Sequence, residues 1–369
     1  MALSHDLCYS ILDIHLLLEF RDSYSSVLQY FSFVMSIVIC LVGLVGNAVV
    51  IWLLGFIMKK YKSRYWFLNL AIADFFFLLT LPFYAISTLK GTWTFGTHMC
   101  KLYLFTLFIN IYSSVYILIT LNIARVLSVA TPMFHLKFIS QRVSFQICTL
   151  IWFISIFSSL PVFYYSSDVN IGEVTQCSYL YSKNLSTAIV NDGYNVSGGN
   201  ATRGISVGDI CTKLSPFIDH CSTDTCCGGE QAIDSWNHMM LKSQWISMPF
   251  LTFGYFIPLG VVIICNITIA AHIRKSKTPN PYRLYRITLV IIMVFFIAWT
   301  PTFIGEIIFL IAVNNRDIVT MDNVLTVMPL VESFAYANSC LNPIVYVMTG
   351  GRMRTGLSNI IRNIRNNYT

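Results

Sequence analysis

Charge is scarce in this chain: Asp, Glu, Lys and Arg make up 11% of its 369 residues, against roughly a quarter in a soluble domain. That shortage, beside 56% hydrophobic residues, excludes an ordinary water-soluble protein and points to one dissolved in lipid. Three further absences narrow the class. The alternating ten-residue pattern of an outer-membrane barrel is missing, so the spans are helical. No repeat relates one half of the chain to the other, which argues against a transporter. No lysine lies in the last apolar segment to carry a retinal Schiff base, and no nucleophile–base constellation supports an enzyme.

What is present is a set of long apolar runs. A helix needs about 20 mostly apolar residues to cross a bilayer, and seven segments meet that length: 28–57, 66–89, 100–124, 146–165, 244–271, 286–312 and 323–348. The expected fold is therefore an all-α membrane protein, a seven-transmembrane helix bundle over 27–349. A short interfacial eighth helix follows in 350–369, and residues 162–243 form a long second extracellular loop.

Acids are absent from one face of this arrangement. Its short loops carry Lys59, Lys60, Lys62 and Arg64, then Lys137 and Arg142, then Arg274, Lys275, Lys277, Arg283 and Arg286. By the positive-inside rule that face is cytoplasmic. The N-terminus, residues 1–26, is then extracellular; it has no signal-peptide pattern, and the first span is expected to act as its own insertion signal. The location implied is the plasma membrane, crossed several times. The net charge of +7 belongs to the inner face, where it suits anionic lipid or an acidic partner. These bases flank spans and form no single patch, so nucleic acid is not an expected partner.

The long loop is rich in Ser, Asn, Gly and Asp and has acceptor tripeptides for N-glycosylation at Asn184, Asn195 and Asn200. Seven of the 11 cysteines fall on the outer side (Cys8, Cys100, Cys177, Cys211, Cys221, Cys226, Cys227). Disulfides are favoured there over a zinc site in "CSTDTCCGG".

Polar groups inside spans cost roughly 3 kcal/mol or more if charged and so mark function by default. Asp74 is mid-span, as are Asn110, Ser114, Asn338, Ser339 and Asn342. A sodium site built on Asp74, Asn110, Ser114 and Asn338 and a plain polar network are both open accounts; no other cofactor is expected. Pro258, Pro301 and Pro343 interrupt three spans, and Trp299 and Phe295 precede Pro301. Interior packing and a hinge in the sixth span both fit. Glu306 and Glu332 lie near the outer ends of the last two spans, at a depth similar to Tyr84, Leu107, Phe108, Trp245 and Tyr336. This reads as an outward-opening cavity with an acidic floor, matched to a basic ligand group. Met353, Leu357, Ile360, Ile361 and Ile364 share one face of the tail, opposite four arginines, as in a helix lying on the inner leaflet.

The ordered set "GNAVV", "LAIAD", "WTFG" before Cys100, Arg125, Trp152, Pro258, "FFIAWTP" and "NPIVY" resembles rhodopsin-like G-protein-coupled receptors. Within that family, "ESFAYANSCLNPIVYVMTG", "WTFGTHMCKL" and "LPVFYY" are similar to chemoattractant receptors. Complement anaphylatoxin receptors are the nearest, and the long second outer loop points to the component 3a type. The resemblance implies a peptide or small protein ligand outside, and an inhibitory-class G protein and arrestin inside. It makes Arg125, Phe295, Trp299, Pro301, Asn342, Pro343 and Tyr346 the switch, and pairs Cys100 with Cys177. The departures are specific. The usual Asp before the arginine is Ala124, and the residue after it is Val126. The usual fifth-span tyrosine is Asn266, and the cysteine before Trp299 is Ala298. Arginines that grip a ligand carboxylate correspond to Ser166 and Phe250; Phe250 is expected at the cavity wall. Glu332 is similar to a residue of chemokine receptors. Because an aspartate at 124 would hold Arg125 in the resting state, raised basal activity is expected. A scavenger receptor that binds without coupling is the rival.

Overall fold

The computed structural model describes residues 2–59, 64–131, 133–135, 140–171, 174–179, 230–275, 282–315 and 317–349. The elements run α1 (Ala2–Trp52), α2 (Arg64–Lys90), α3 (Gly96–Ala130), α4 (Gln141–Tyr165), a hairpin of β1 (Ser167–Ile171) and β2 (Val174–Ser178), then α5 (Glu230–Leu251), α6 (Ile257–Lys275), α7 (Tyr282–Asn315) and α8 (Ile318–Thr349). Among the described residues seven helical segments are long and apolar enough to cross a membrane: Val27–Ile57, Arg64–Lys90, Gly96–Ala130, Gln141–Tyr165, Met240–His272, Leu289–Asn315 and Val319–Val345. Helices are the natural outcome, because a spanning segment must satisfy its backbone groups internally.

The helices run past the apolar segments that mark them, since a backbone ladder continues into polar flanks. Part of the long loop is ordered as the β1–β2 hairpin, and α5 already begins at Glu230. The glycosylation acceptors, Cys211, Cys221, Cys226, Cys227 and the tail helix lie outside the described residues, as does the side chain of Tyr346.

Sequence details explain how the bundle closes. α1 packs on α2 and α8, α7 on α8, and α3 touches α2, α4 and α6. Lipid tails are as apolar as leucine, so helices here associate through close packing and polar ties. Gly43 supplies the closeness: a Cβ there would fall 2.6 Å from Leu78 Cδ1 and 3.3 Å from Cys340 Cβ. One turn on, Asn47 Nδ2 donates to Gly43 O and to Ser339 O, each at 2.9 Å, tying α1 to α8. Trp152 Nε1 of α4 donates to Asn69 Oδ1 of α2 at 2.9 Å. α3 buries 67% of its most apolar window and α4 28%; α3 threads the middle and α4 stands at the rim. Helices α7 and α8 continue through Pro301 and Pro343. A widened π turn (Thr252–Phe256) comes just before Pro258, where the missing N–H and the ring upset the regular ladder.

Between α2 and α3, Gly91 (φ 68°) and Gly96 (φ 73°) adopt left-handed backbone, which only glycine takes without strain. They fold "GTWTFG" so that Trp93 Nε1 donates to Gly96 O at 3.0 Å. Trp93 N meets Thr175 O of β2 at 2.7 Å.

Candidate functional site

Three groups of residues stand along the bundle axis. The first is at the end that carries the hairpin. Cys177 of β2 is disulfide-bonded to Cys100 in the first turn of α3, so the hairpin lies fastened beside the mouth of the bundle. In β1, Asp168 stands opposite Cys177 and accepts a hydrogen bond from Thr97 of α3. Two residues beyond Cys177, Tyr179 donates to Glu306 Oε1 of α7 at 3.3 Å. Ser247 of α5 donates to the same oxygen.

Glu332 of α8 is held in a parallel way. Tyr84 of α2 donates to its Oε2 at 2.6 Å and Tyr336 to the same oxygen at 3.2 Å. With the Tyr336 proton so used, Tyr103 of α3 donates to the Tyr336 hydroxyl at 2.8 Å. Tyr84 and Tyr103 stack with ring centroids 5.2 Å apart. A row of rings closes the floor: Phe108 and Phe250 at 4.8 Å, Phe250 and Phe303 at 5.1 Å, Phe303 and Trp299 at 6.3 Å, Trp299 and Tyr336 at 6.3 Å. Leu107 is buried beside Phe108. Both glutamates are only partly buried. The arrangement is two carboxylates beside a row of rings: Glu306 is steadied by hydroxyl donors from two other elements, Glu332 by one from α2 and one from its own helix.

Trp245 must be removed from the cavity. It is 78% exposed, because it lies on the opposite face of α5 from Ser243, Ser247 and Phe250, all buried. Depth along a span does not fix direction around the helix: Trp245 lies two residues, or about 200°, from the buried Ser247. The sequence reading also missed four members. Tyr103 follows the i, i+4, i+5 pattern of the face holding Leu107 and Phe108, and Ser247 lies one turn before Phe250, so periodicity offered a signal for both. Phe303 sits one turn beyond Trp299 in the same way. Tyr179 is on a loop and gives no periodic signal.

The second group surrounds Asp74 of α2, which is fully buried. Asn110 of α3 donates to Oδ1 at 2.8 Å and Asn342 of α8 to Oδ2 at 2.9 Å. Ser114 and Asn338 are each 1% exposed, and Ser114 Oγ and Asn338 Oδ1 have no hydrogen-bond partner. A carboxylate with buried, unsatisfied oxygens nearby is a donor set that suits a hard monovalent cation such as sodium. Among the described residues no cluster of three or more His, Cys, Asp or Glu is set to hold a metal.

The third group is at the opposite end. Arg125 of α3 is buried at 6% exposure and Ala124 at 1%. One turn earlier, Asn122 Nδ2 donates to Val262 O of α6 at 3.4 Å, and Asn266 Nδ2 donates to the same carbonyl at 2.8 Å. Between the ends, Phe295 and Trp299 of α7 are buried with ring centroids 6.2 Å apart. Tyr255, in the π turn of the fifth span, shares a 2.9 Å hydrogen bond with Thr300, the residue before Pro301. Tyr346 is within α8.

Seven apolar helices that gather two hydrogen-bonded carboxylates and a row of aromatic rings, with a hairpin disulfide-bonded to α3, have the build of a membrane receptor. Residues 46–199 and 205–346 match the family described as 7 transmembrane receptor (rhodopsin family), and the chain belongs to that family of G-protein-coupled receptors. It is a receptor and not an enzyme. Relatives include Chemerin-like receptor 1 of Sus scrofa, 28% identical over 333 residues, 90% of this chain and 80% of the relative. The C3a anaphylatoxin chemotactic receptor of Oncorhynchus mykiss is 27% identical over 338 residues, 90% of this chain and 78% of the relative. The C5a anaphylatoxin chemotactic receptor 1 of Cavia porcellus is 24% identical over 353 residues, covering 94% and 86%. The receptor is therefore related to the chemerin and C3a/C5a chemoattractant group.

Proposed function

We propose that this receptor takes an extracellular peptide or small protein of the chemerin or anaphylatoxin kind and activates an inhibitory-class G protein. The observation that carries this reading is the pair of tyrosine-held carboxylates, Glu306 and Glu332, beside a row of rings that includes Trp299. A basic ligand end fits there, and its insertion presses on the residues just before Pro301. The hairpin end then faces outside the plasma membrane with residues 1–26, and the Arg125 end faces the cytosol, in keeping with the acid-free basic loops. Arginine-rich residues 350–369 would rest on inner-leaflet lipid, and arrestin would meet the same cytosolic face. Asn184, Asn195 and Asn200 would carry sugar on the outer side. A sodium ion would be held by Asp74, Ser114, Asn110 and Asn338, steadying the resting packing of α2, α3 and α8.

At the cytosolic end, Ala124 supplies no carboxylate to Arg125. An aspartate there would add a resting-state contact that the active state does not use, so basal activity is raised relative to a chain that has one. The same end also supports a second reading: Val126 and Asn266 alter the inner cleft, as in a scavenger receptor that takes up ligand without coupling. The deciding experiment screens chemerin, C3a, C5a, chemokines and formylated peptides for nucleotide exchange in cells expressing the chain. Ligand-dependent exchange upholds the signalling receptor. Uptake of a ligand with no exchange transfers the assignment to the scavenger.

A further inference from the structure

Glu306 and Glu332 are both only partly buried, and among the described residues neither has a cationic partner. Hydroxyl donors hold each on one oxygen only, Oε2 of Glu332 and Oε1 of Glu306. They stand on α7 and α8, which pack against each other. Like charges drawn partly out of water are costly unless a countercharge joins them. A separate observation comes from the floor. Trp299 is 2% exposed and its indole N–H has no acceptor, although buried indole donors normally find one. Its ring lies against Tyr336, whose hydroxyl donates to Glu332. Among the described residues the cations on the α4–α5 side lie over rings, Lys242 over Tyr165 and Lys101 over Phe163; Ser166 turns its hydroxyl back to Val162 O, and Phe250 is packed between Phe108 and Phe303.

We propose that the ligand enters with an end that bears two cationic centres and no free carboxylate, one centre for Glu306 and one for Glu332, with a main-chain carbonyl accepting from Trp299. The chemical class is a peptide end whose free α-amine adjoins a basic side chain. This rests on the receptor reading above and names what that cavity recognises.

The test uses the purified full chain in detergent and follows its melting temperature against probe concentration. Three probes share the sequence arginine followed by two phenylalanines: the amide with a free amine, the N-acetylated amide, and the N-acetylated acid. The expected order is free-amine amide over acetylated amide over acetylated acid, with about tenfold or more in apparent affinity at each step. Glu306→Gln and Glu332→Gln should each lower the first probe to about the affinity of the second, and Trp299→Phe should weaken every amide probe about fivefold. Equal binding of all three probes, no binding of the free-amine amide at millimolar concentration, or indifference to both glutamine changes overturns the proposal. If a variant fails to fold, the ranking on the wild-type chain decides alone. Binding in the expected order without any nucleotide exchange sinks the signalling receptor and leaves this inference standing. Exchange evoked by a carboxylate-ended peptide, unaltered in both glutamine variants, does the reverse.

Discussion

Replacing Ala124 with aspartate should quieten the ligand-free receptor. Ala124 is 1% exposed and Arg125 6%, so an ionic hydrogen bond between them would be little screened by water. Adjacent helical positions diverge by about 100° and do not face each other; only the length of the arginine side chain lets its guanidinium fold back. A charge-assisted bond of this kind contributes about 1.5–3 kcal/mol, from which the desolvation of a new buried carboxylate must be deducted. The net is about 1–2 kcal/mol in favour of the resting state, a factor of roughly 5–30 in the resting-to-active ratio. Ligand-free nucleotide exchange on an inhibitory-class G protein, measured in membranes at matched receptor number, reads that factor directly. Ala124→Asn, which has the shape without the charge, should recover only a small part of it. Equal basal rates for wild type and Ala124→Asp, with both still answering ligand, would refute the reasoning.

Other outcomes follow from the same geometry. Tyr255→Phe removes the hydrogen bond to Thr300 that links the fifth span to the turn before Pro301; losing about 1 kcal/mol should raise basal exchange up to about fivefold, and an unchanged rate would remove Tyr255 from the switch. Gly43→Val forces side-chain atoms into Leu78 and Cys340 and should cost about 1–3 kcal/mol, seen as a lower melting temperature in detergent, whereas Gly55→Ala, with nothing within 4 Å, should melt like wild type. Asp317 caps α8 by accepting from Thr320 N at 2.9 Å and Thr320 Oγ1 at 2.6 Å, and these bonds hold its carboxyl below the usual carboxylate range. A depressed folded value means the cap is fully present above the unfolded value of about 3.9 and is lost as pH falls through the lower folded value. Amide exchange in the first turn of α8 should therefore quicken only below about pH 4, and Asp317→Asn should abolish that dependence.

Much of the architecture was readable because membranes impose length. The seven apolar runs could be nothing shorter than spans, and Asn47, Asp74, Trp152 and Pro301 each occupy the helix their motifs named. The cavity was half legible. Glu306 and Glu332 stood out because ionised groups in a span are costly, but the side chains that hold them are uncharged and gave no such signal. Tyr84 and Tyr336 were placed by depth, as was Trp245; depth alone does not fix direction around a helix, and Trp245 turned to the outside. Tyr179 depends on the hairpin that Cys177 fastens to α3, a contact across 127 residues to Glu306. Local sequence carries nothing of that. The π turn at Thr252–Phe256 was likewise hidden: Pro258 marked a disturbance without saying that the helix would widen upstream of it.

The unequal burial of α3 and α4 sets how freely each can drift in sequence. Along α4, Phe153, Phe157 and Tyr164 stand with 69%, 76% and 74% of their surface uncovered, so one greasy residue can replace another there without a neighbour noticing. On α3 the six consecutive residues Asn110 to Val115 are all buried, so every direction around that stretch of helix meets a neighbour. A saturation library of this chain should accordingly tolerate substitutions in long stretches of one helix and at scarcely any position of the other.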